Sequence, residues 1–577
     1  MKGISMEKKD LVIRIAGEGG EGIISTGDFI AAACARAGLE VYTFKTFPAE
    51  IKGGYAMYQV RASSETLYNQ GDTFDVFCAF NGEAYELNKH LLKPGTAFVY
   101  DYPGGDFEPE IPEGVHAYPI PMSKTAKGLK QYRAKNMVAM GAMSVLFNIN
   151  EETLIRVLTD KFTSKGEEVL RLNLEAFELG KKMAAEQSKT DTYRVADAQE
   201  PKDVIIISGN DAVGLGAVIG KLDFFSAYPI TPATEVAKYV STHLPKCGGV
   251  LVQAEDEIAS LAQVLGASYA GKKSMTATSG PGLALMSELL GMSTMSETPA
   301  LVVDVQRGGP STGLPTKHEQ SDLFLAIHGG HGDSPRVVMS VEDVKDCIDM
   351  TVDALNIAEE YQTPVVLLSD GSLAFSTQTI PRPDPASYTI VDRRKWDGQG
   401  EFKRYLFTDD NISPMADPGT PGAMHIATGL EHSETGAPNY GPVAHEANHR
   451  KRFNKIAPLV DKYKPTEIDG DPDEEADVGI ITWGSTIGVA REAIARMREE
   501  GIKVKGFYPK LLYPMPVKQY EDFAAKCKKI LVPEVNFQGQ LSHFIRAETS
   551  IKPIPYTICG GLPFTPIMMI EKTKELL

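Results

Sequence analysis

Four short stretches between residues 227 and 323 carry side chains whose types and spacing could do chemistry. The first is Tyr228-Pro229-Ile230-Thr231-Pro232. A hydroxyl and backbone N–H groups at a helix N-terminus suit a substrate carboxylate or an oxyanion. Thr231 offers that hydroxyl; it could equally cap the next helix, with Pro232 in the first turn. The second stretch, Gln253-Ala254-Glu255-Asp256-Glu257, sets three acids at the start of a small-residue helix, where the helix dipole favours them. The third, Thr276 to Gly282 (TATSGPG), turns a strand directly into a helix through small residues that admit close approach of a ligand. In the fourth, Arg307 ends ALVVDVQ and enters Gly308-Gly309-Pro310-Ser311-Thr312-Gly313. A guanidinium there can fork onto a carboxylate, and a surface or interface arginine is the alternative.

Each stretch follows an apolar run. Such runs near 222–227, 250–253, 274–278, 300–305, 335–339 and 364–368 alternate with helical patterns, as in a doubly wound parallel sheet. Ligands bind outside the carboxyl ends of such strands, so the four stretches should converge on one crevice.

The flanks are also α/β in pattern. LVIRIA at 11–16 precedes Gly17-Glu18-Gly19-Gly20-Glu21-Gly22 and a helix near Ser25, which spells the dinucleotide fingerprint GxGxxG. The next strand, LEVYTFK, reaches Lys45 where a ribose-binding acid should stand, and Glu18 and Glu21 would face a pyrophosphate with like charge. A tight strand–helix turn without nucleotide is the preferred reading. Residues 186–202 are polar and aperiodic, and VIIIS then opens a second unit. Residues 381–455 are rich in Pro, Gly and His and read as a long ordered excursion, followed by an acidic, solvated connector from Glu467 to Asp477. VGIITWGST restarts an α/β pattern that runs to the end.

Composition narrows the function classes. A chain of 577 residues suggests three or four domains, and a net charge of −17 argues against nucleic acid as a partner and does not favour an anionic membrane. No apolar run of about 20 residues exists, and MKGISMEKKD lacks a signal-type core, so a cytoplasmic protein is expected. The six cysteines are scattered without a CxxC, so neither zinc-ribbon nor ferredoxin-type ligation is readable and no metal site is expected in the chain. His445-Glu446-Ala447-Asn448-His449 spells HExxH, but no third ligand stands at a standard spacing, and RKRFNK follows instead of an amphipathic continuation.

The YPITP, TSGPG and GPSTGLPT motifs resemble the alpha subunit of the 2-oxoacid:ferredoxin oxidoreductases, thiamine-diphosphate and iron–sulfur enzymes. Residues from about 10 to 185 resemble the family's gamma domain, and residues from about 477 to 577 its transketolase C-terminal-type domain. The resemblance implies a multi-domain α/β chain: a gamma-type α/β domain (1–185), a linker (186–202), a doubly wound thiamine-diphosphate pyrimidine-type domain (203–395), an irregular connecting segment (396–476) and a transketolase-C-like α/β domain (477–577).

It also implies roles. The YPITP motif, Tyr228, Pro229, Ile230 and Thr231, would lie at the thiamine site, with Thr231 touching the 2-oxo acid. Thiamine enzymes need a carboxylic acid against the aminopyrimidine ring, and Glu257, nine residues before Gly266-Ala267, has that glutamate's spacing; Glu255 is the runner-up. Arg307 matches the arginine that binds the substrate's 1-carboxylate. Lys52, in AEIKGG, matches a lysine that reaches the same pocket and is the preferred partner for a second carboxylate, with Lys45 and His318 as other options. The chain has no GDG, the start of the magnesium–diphosphate motif. A beta subunit would therefore bring Mg²⁺, the diphosphate half-site and a [4Fe-4S] cluster in an (αβ)₂ assembly, with thiamine diphosphate shared, coenzyme A as co-substrate and ferredoxin as electron partner. The implied reaction is CoA-dependent oxidative decarboxylation of a 2-oxo acid, 2-oxoglutarate by resemblance to fused gamma–alpha chains, reversible as CO₂ fixation. Pyruvate or branched 2-oxo acids, and a non-oxidative transketolase-type half-site, are the alternatives.

Overall fold

In the computed structural model, the described residues are 10–48, 53–131, 134–187, 194–197, 199–200, 202–462 and 467–577. They divide into two units, residues 1–207 with 376–382, and residues 208–375 with 383–577.

The first unit is built on one eight-stranded sheet. Its strand order is His116–Ile120, Ala97–Asp101, Val76–Ala79, Asp10–Glu18, Tyr55–Ser63, Glu40–Thr46, Thr377–Pro381 and Val204–Ser208. Asp10–Glu18 pairs in parallel with Val76–Ala79 but antiparallel with Tyr55–Ser63. The strand that follows the first helix is therefore not its parallel neighbour, as a dinucleotide fold requires. The glycine loop is occupied by its own side chain. Glu21 accepts from the N–H of Glu18 at 2.9 Å and from Asn81 at 3.1 Å, and pairs with Lys135 at 3.0 Å. The sequence pattern reads VIIIS as opening the second unit, whereas Val204–Ser208 lies at the edge of this first sheet. An apolar run specifies a strand but not the sheet that receives it.

The second unit holds the four chemistry-bearing stretches. Its larger sheet runs Leu511–Tyr513, Val337–Ser340, Pro364–Asp370, Ala300–Gln306, Ser274–Thr278, Phe224–Ala227 and Val250–Gln253. All neighbours are parallel except Leu511–Tyr513. The central strands are buried on both faces, which explains their unbroken apolar runs. A five-stranded sheet follows in the order Glu467–Asp469, Val504–Tyr508, Ala476–Ile481, Cys527–Glu534 and Ile554–Thr557. Here the acidic connector departs from expectation, because its first residues form a strand. Glu467 and Asp469 are neutralised by Arg491 at 2.6 Å and Arg498 at 2.7 Å, so their charge is no obstacle to pairing.

The excursion expected over 381–455 is ordered by buried cations. Arg404 donates to the carbonyls of Ser296 (3.2 Å) and Glu297 (2.6 Å), at the C-terminus of helix Gly280–Ser296. Lys451 and Lys455 close on the Glu297 carboxylate at 2.7 and 3.1 Å. Arg393 donates to the carbonyls of Ser268 and Lys272 at the end of helix Glu257–Tyr269 and pairs with Glu359. Cations at helix C-termini are favoured by the dipole, so this segment fixes the far ends of the two helices whose N-termini face the crevice. Among the described residues, no helix is long and apolar enough to cross a membrane.

Candidate active site

Because the strands are parallel, their carboxyl ends lie on one side of the sheet, and the residues that follow them are brought together. Tyr228–Pro232 follows Phe224–Ala227, Glu257 follows Val250–Gln253, Ser279–Gly282 follows Ser274–Thr278, and Arg307 follows Ala300–Gln306. Two of the expected residues bond directly: Arg307 Nη1 donates to the Thr231 backbone oxygen at 2.6 Å. Thr231 does not cap the next helix. That helix begins at Thr234 with Ala233 at its cap position and no side-chain cap bond. The capping alternative therefore fails, and the half-buried Thr231 sits in the turn before the helix. Tyr228 and Pro229 are exposed at the start of the same turn and Ile230 is half-buried.

The three acids of the second stretch have three different environments. Glu255 is exposed, Asp256 caps helix Glu257–Tyr269 by accepting from the N–H of Ala259 at 2.7 Å, and Glu257 is buried at 6% exposure. Gly282 makes room for the Glu257 side chain. A Cβ on Gly282 would stand 2.7 Å from Glu257 Cγ and 3.0 Å from its Oε1, besides striking Thr278 Oγ1. The TSGPG turn is thus a cradle for the buried carboxyl. Thr276 Oγ1, Ser279 Oγ and Arg307 Nε are also buried there without a hydrogen-bond partner. Buried polar groups are normally satisfied, so an unpaired set beside a buried acid fits a polar ligand. These residues suit the aminopyrimidine half of thiamine diphosphate.

Electrostatics tie Arg307 to acids on both sides. Burial lowers the Arg307 pKa, and Asp322 and Glu257 act in the opposite direction. Asp304 and Asp322 were not read from the sequence as site residues. Asp304 is a lone acid inside the apolar strand ALVVDVQ, a signal that could have singled it out, whereas Asp322 reads as an ordinary helix cap. Asp322 makes no side-chain cap bond.

The options for a second carboxylate fare differently. Lys52 lies outside the described residues. Lys45 Nζ lies over the Tyr58 ring, 5.4 Å from its centroid. His318 is buried, with Nδ1 3.1 Å from Asp370. Burial pushes the Asp370 carboxyl up, but His318, Ser485 and the N–H of Leu373 outweigh it and hold it below its ordinary value. His318 thus faces an acid within the chain, with both ring nitrogens buried and outside hydrogen-bond geometry.

The HExxH stretch lies in helix Pro442–Asn454, so a helix does continue through RKRFN. Among the described residues, Glu431, His445 and His449 bring possible metal-ligating atoms within 4.8 Å of one another. The Glu431 carboxylate is already held by Arg452 at 2.8 Å, Asn448 at 2.7 Å and His445 at 2.7 Å. Glu446, the acid a zinc hydrolase would use, pairs with Arg450 instead.

Comparison with known proteins agrees along the chain. Residues 12–183 match the family described as pyruvate ferredoxin/flavodoxin oxidoreductase. Residues 215–451 match its thiamine-diphosphate-binding part, and residues 476–563 its core domain II. The chain is 32% identical to the 2-oxoglutarate oxidoreductase subunit KorA of Mycobacterium tuberculosis, over 96% of this chain and 90% of that one. It is 38% identical to the 2-oxoglutarate synthase subunit KorA of Methanothermobacter marburgensis, over 60% of this chain and 91% of that one. A solved structure, the 2-oxoglutarate:ferredoxin oxidoreductase of Magnetococcus marinus with 2-oxoglutarate, coenzyme A and succinyl-CoA bound, is similar at 78% identity and a TM-score of 0.96, covering 99% of this chain and 100% of that one. On this extent of similarity, the chain belongs to the 2-oxoacid:ferredoxin oxidoreductase family, as a relative of its alpha subunits.

Proposed function

We propose that this chain is the gamma-fused alpha subunit of a cytoplasmic 2-oxoglutarate:ferredoxin oxidoreductase. The reaction converts 2-oxoglutarate, coenzyme A and oxidised ferredoxin to succinyl-CoA, CO₂ and reduced ferredoxin, and the same chemistry run backward fixes CO₂. The observation that carries this reading is the 78% identity, over nearly the full length of both chains, to the Magnetococcus marinus enzyme described with 2-oxoglutarate and coenzyme A bound. The domain division drawn from the sequence at 185, 202, 395 and 476 is proposed with it.

Thiamine diphosphate, when bound, supplies the carbon nucleophile and electron sink that loss of CO₂ requires. The chain's own residues bind and orient. Arg307 receives the 1-carboxylate of the substrate, and its bond to the Thr231 carbonyl sets the guanidinium's orientation before substrate arrives. The Thr231 hydroxyl faces the oxo group, and Tyr228, Pro229 and Ile230 shape the turn that presents it. Glu257 would hold the aminopyrimidine ring through its carboxyl, and burial keeps water from competing for that bond. Lys52 takes the distal carboxylate. A companion beta subunit brings Mg²⁺, the diphosphate site and the [4Fe-4S] cluster, and an (αβ)₂ assembly passes electrons to ferredoxin.

Co-purification with the companion subunit, followed by assay of ferredoxin reduction, tests the reading. Reduction should require both 2-oxoglutarate and coenzyme A. Carbon–carbon transfer without reduction would favour a transketolase-type half-site, and a strong preference for pyruvate would overturn the substrate.

A further inference from the structure

We infer that Asp304 and Asp322 are positioning residues that share one proton, and that this proton prevents them from cancelling the charge Arg307 offers to a substrate carboxylate. The consequence for substrate rests on the proposed role of Arg307; the shared proton rests on the burial, the missing donors and the packing of the two carboxyls.

Asp304 is fully buried, and neither of its carboxylate oxygens meets an N–H or O–H donor. The Oδ2 atom of Asp322 is likewise buried without a donor. The two carboxyls act directly on one another, and the three oxygens just named have no other donor to turn to. Ionised carboxylates only accept, so the two can bond only if one is protonated. Gly280, at the N-terminus of helix Gly280–Ser296, leaves the space that the outer acid fills: a Cβ there would stand 2.6 Å from Asp322 Oδ2. The backbone N–H of Asp322 is held by Gln306 Oε1 at 3.1 Å, which keeps the second acid beside the strand that carries the first.

The charged groups acting on the pair are Arg307, at the end of the same strand, and Glu319, from the loop before Asp322; Glu257 acts on Arg307 in turn. With one proton the pair carries a single negative charge. Without it, two charges would face one guanidinium, and a substrate anion would meet a net negative pocket. Burial first, and then mutual repulsion, hold Asp304 well above the ordinary aspartate range. The proton thus stays on the pair well above the ordinary aspartate range.

The test uses the complex with its companion subunit, with KM and kcat for 2-oxoglutarate followed from neutral to alkaline pH. Wild-type KM should rise by about tenfold or more as the proton leaves, a shift equivalent to one pKa unit of interaction, while kcat changes little. In Asp322→Asn the amide donates to Asp304 and locks the pair at one negative charge, so the alkaline rise should disappear. An identical rise in both proteins overturns the role toward Arg307. Infrared difference spectra between the wild type and Asp322→Asn, and between the wild type and Asp304→Asn, read the proton without turnover. A protonated-carboxyl band present in the wild type and lost in each variant is expected, and its absence from the wild type overturns the shared proton. A complex that shows the band yet turns over no 2-oxo acid would instead defeat the proposed function.

Discussion

Arg307 Nη1 and the backbone oxygen of Thr231 lie 2.6 Å apart, so two residues that follow non-adjacent strands form one hydrogen-bonded unit. The bond uses the threonine's carbonyl and not its hydroxyl. It also fixes one end of a guanidinium whose Nε is buried without an acceptor. Position of the cation is thus set by the turn that carries Thr231, which leads to coupled behaviour on mutation.

Arg307→Met should raise KM for the 2-oxo acid by roughly tenfold to a hundredfold, since a charged hydrogen bond is worth about 1.5–3 kcal/mol. Steady-state kinetics on the assembled enzyme measure it, with thermal melting as a check that the fold persists. Thr231→Val keeps the carbonyl, so the Arg307 bond should survive and the loss should be the smaller of the two. Unaltered kinetics in Arg307→Met would place that side chain outside substrate contact.

Glu257→Gln should slow exchange of the cofactor's C2 proton by about 10²–10⁴-fold, the usual contribution of a positioned acid–base group. NMR exchange measurements on the reconstituted complex report that step. Glu255→Gln should leave exchange near wild type, because Glu255 is exposed whereas Glu257 is buried against Gly282. The reverse result would move the acid two residues upstream.

Lys52→Met should impair turnover of 2-oxoglutarate more than that of pyruvate if the lysine reads the distal carboxylate. A fixed second carboxylate in a closed pocket needs a second cation, and Arg307 is taken by the first. Parallel kinetics with the two substrates decide this, and equal, unimpaired turnover of both would remove Lys52 from the site.

Glu297→Gln should destabilise the second unit by about 3–5 kcal/mol, the cost of leaving a buried charge unpaired. Lys451, Lys455 and Arg404 all close on Glu297. Burial alone would raise this carboxyl, but Lys455, Lys451 and Arg404 outweigh it and hold it below its ordinary value of 4.5. The native state therefore binds fewer protons than the unfolded chain as pH falls through 4.5, and this contribution is lost toward acid. Denaturant melts of both proteins across that range should converge at low pH. A constant gap between them would sink the electrostatic account.

Local pattern made much of this molecule legible. Six apolar runs predicted the six parallel strands that carry the crevice, because burial on both faces leaves an unbroken apolar signature. The spacing of Glu257 to Gly266 singled out the one acid of three that the structure buries. The two carboxylates in GEGGEG argued against a nucleotide, and Glu21 does fill that loop.

Only the tertiary structure could decide which partners those residues meet. Thr231 could have been a cap or a turn residue, and the choice was made by Arg307, whose bond depends on two strands held in one sheet with a third between them. The excursion over 381–455 looked patternless because its order comes from Arg393, Arg404, Lys451 and Lys455 reaching helix ends far away in sequence, which no local period records. Val204–Ser208 advertised a strand but not its sheet. Asp304 and Asp322 became a pair only when a strand and a loop packed together. Periodicity is a property of neighbouring residues on one element, whereas charge pairing and sheet membership are settled by packing between elements that the chain brings together only on folding.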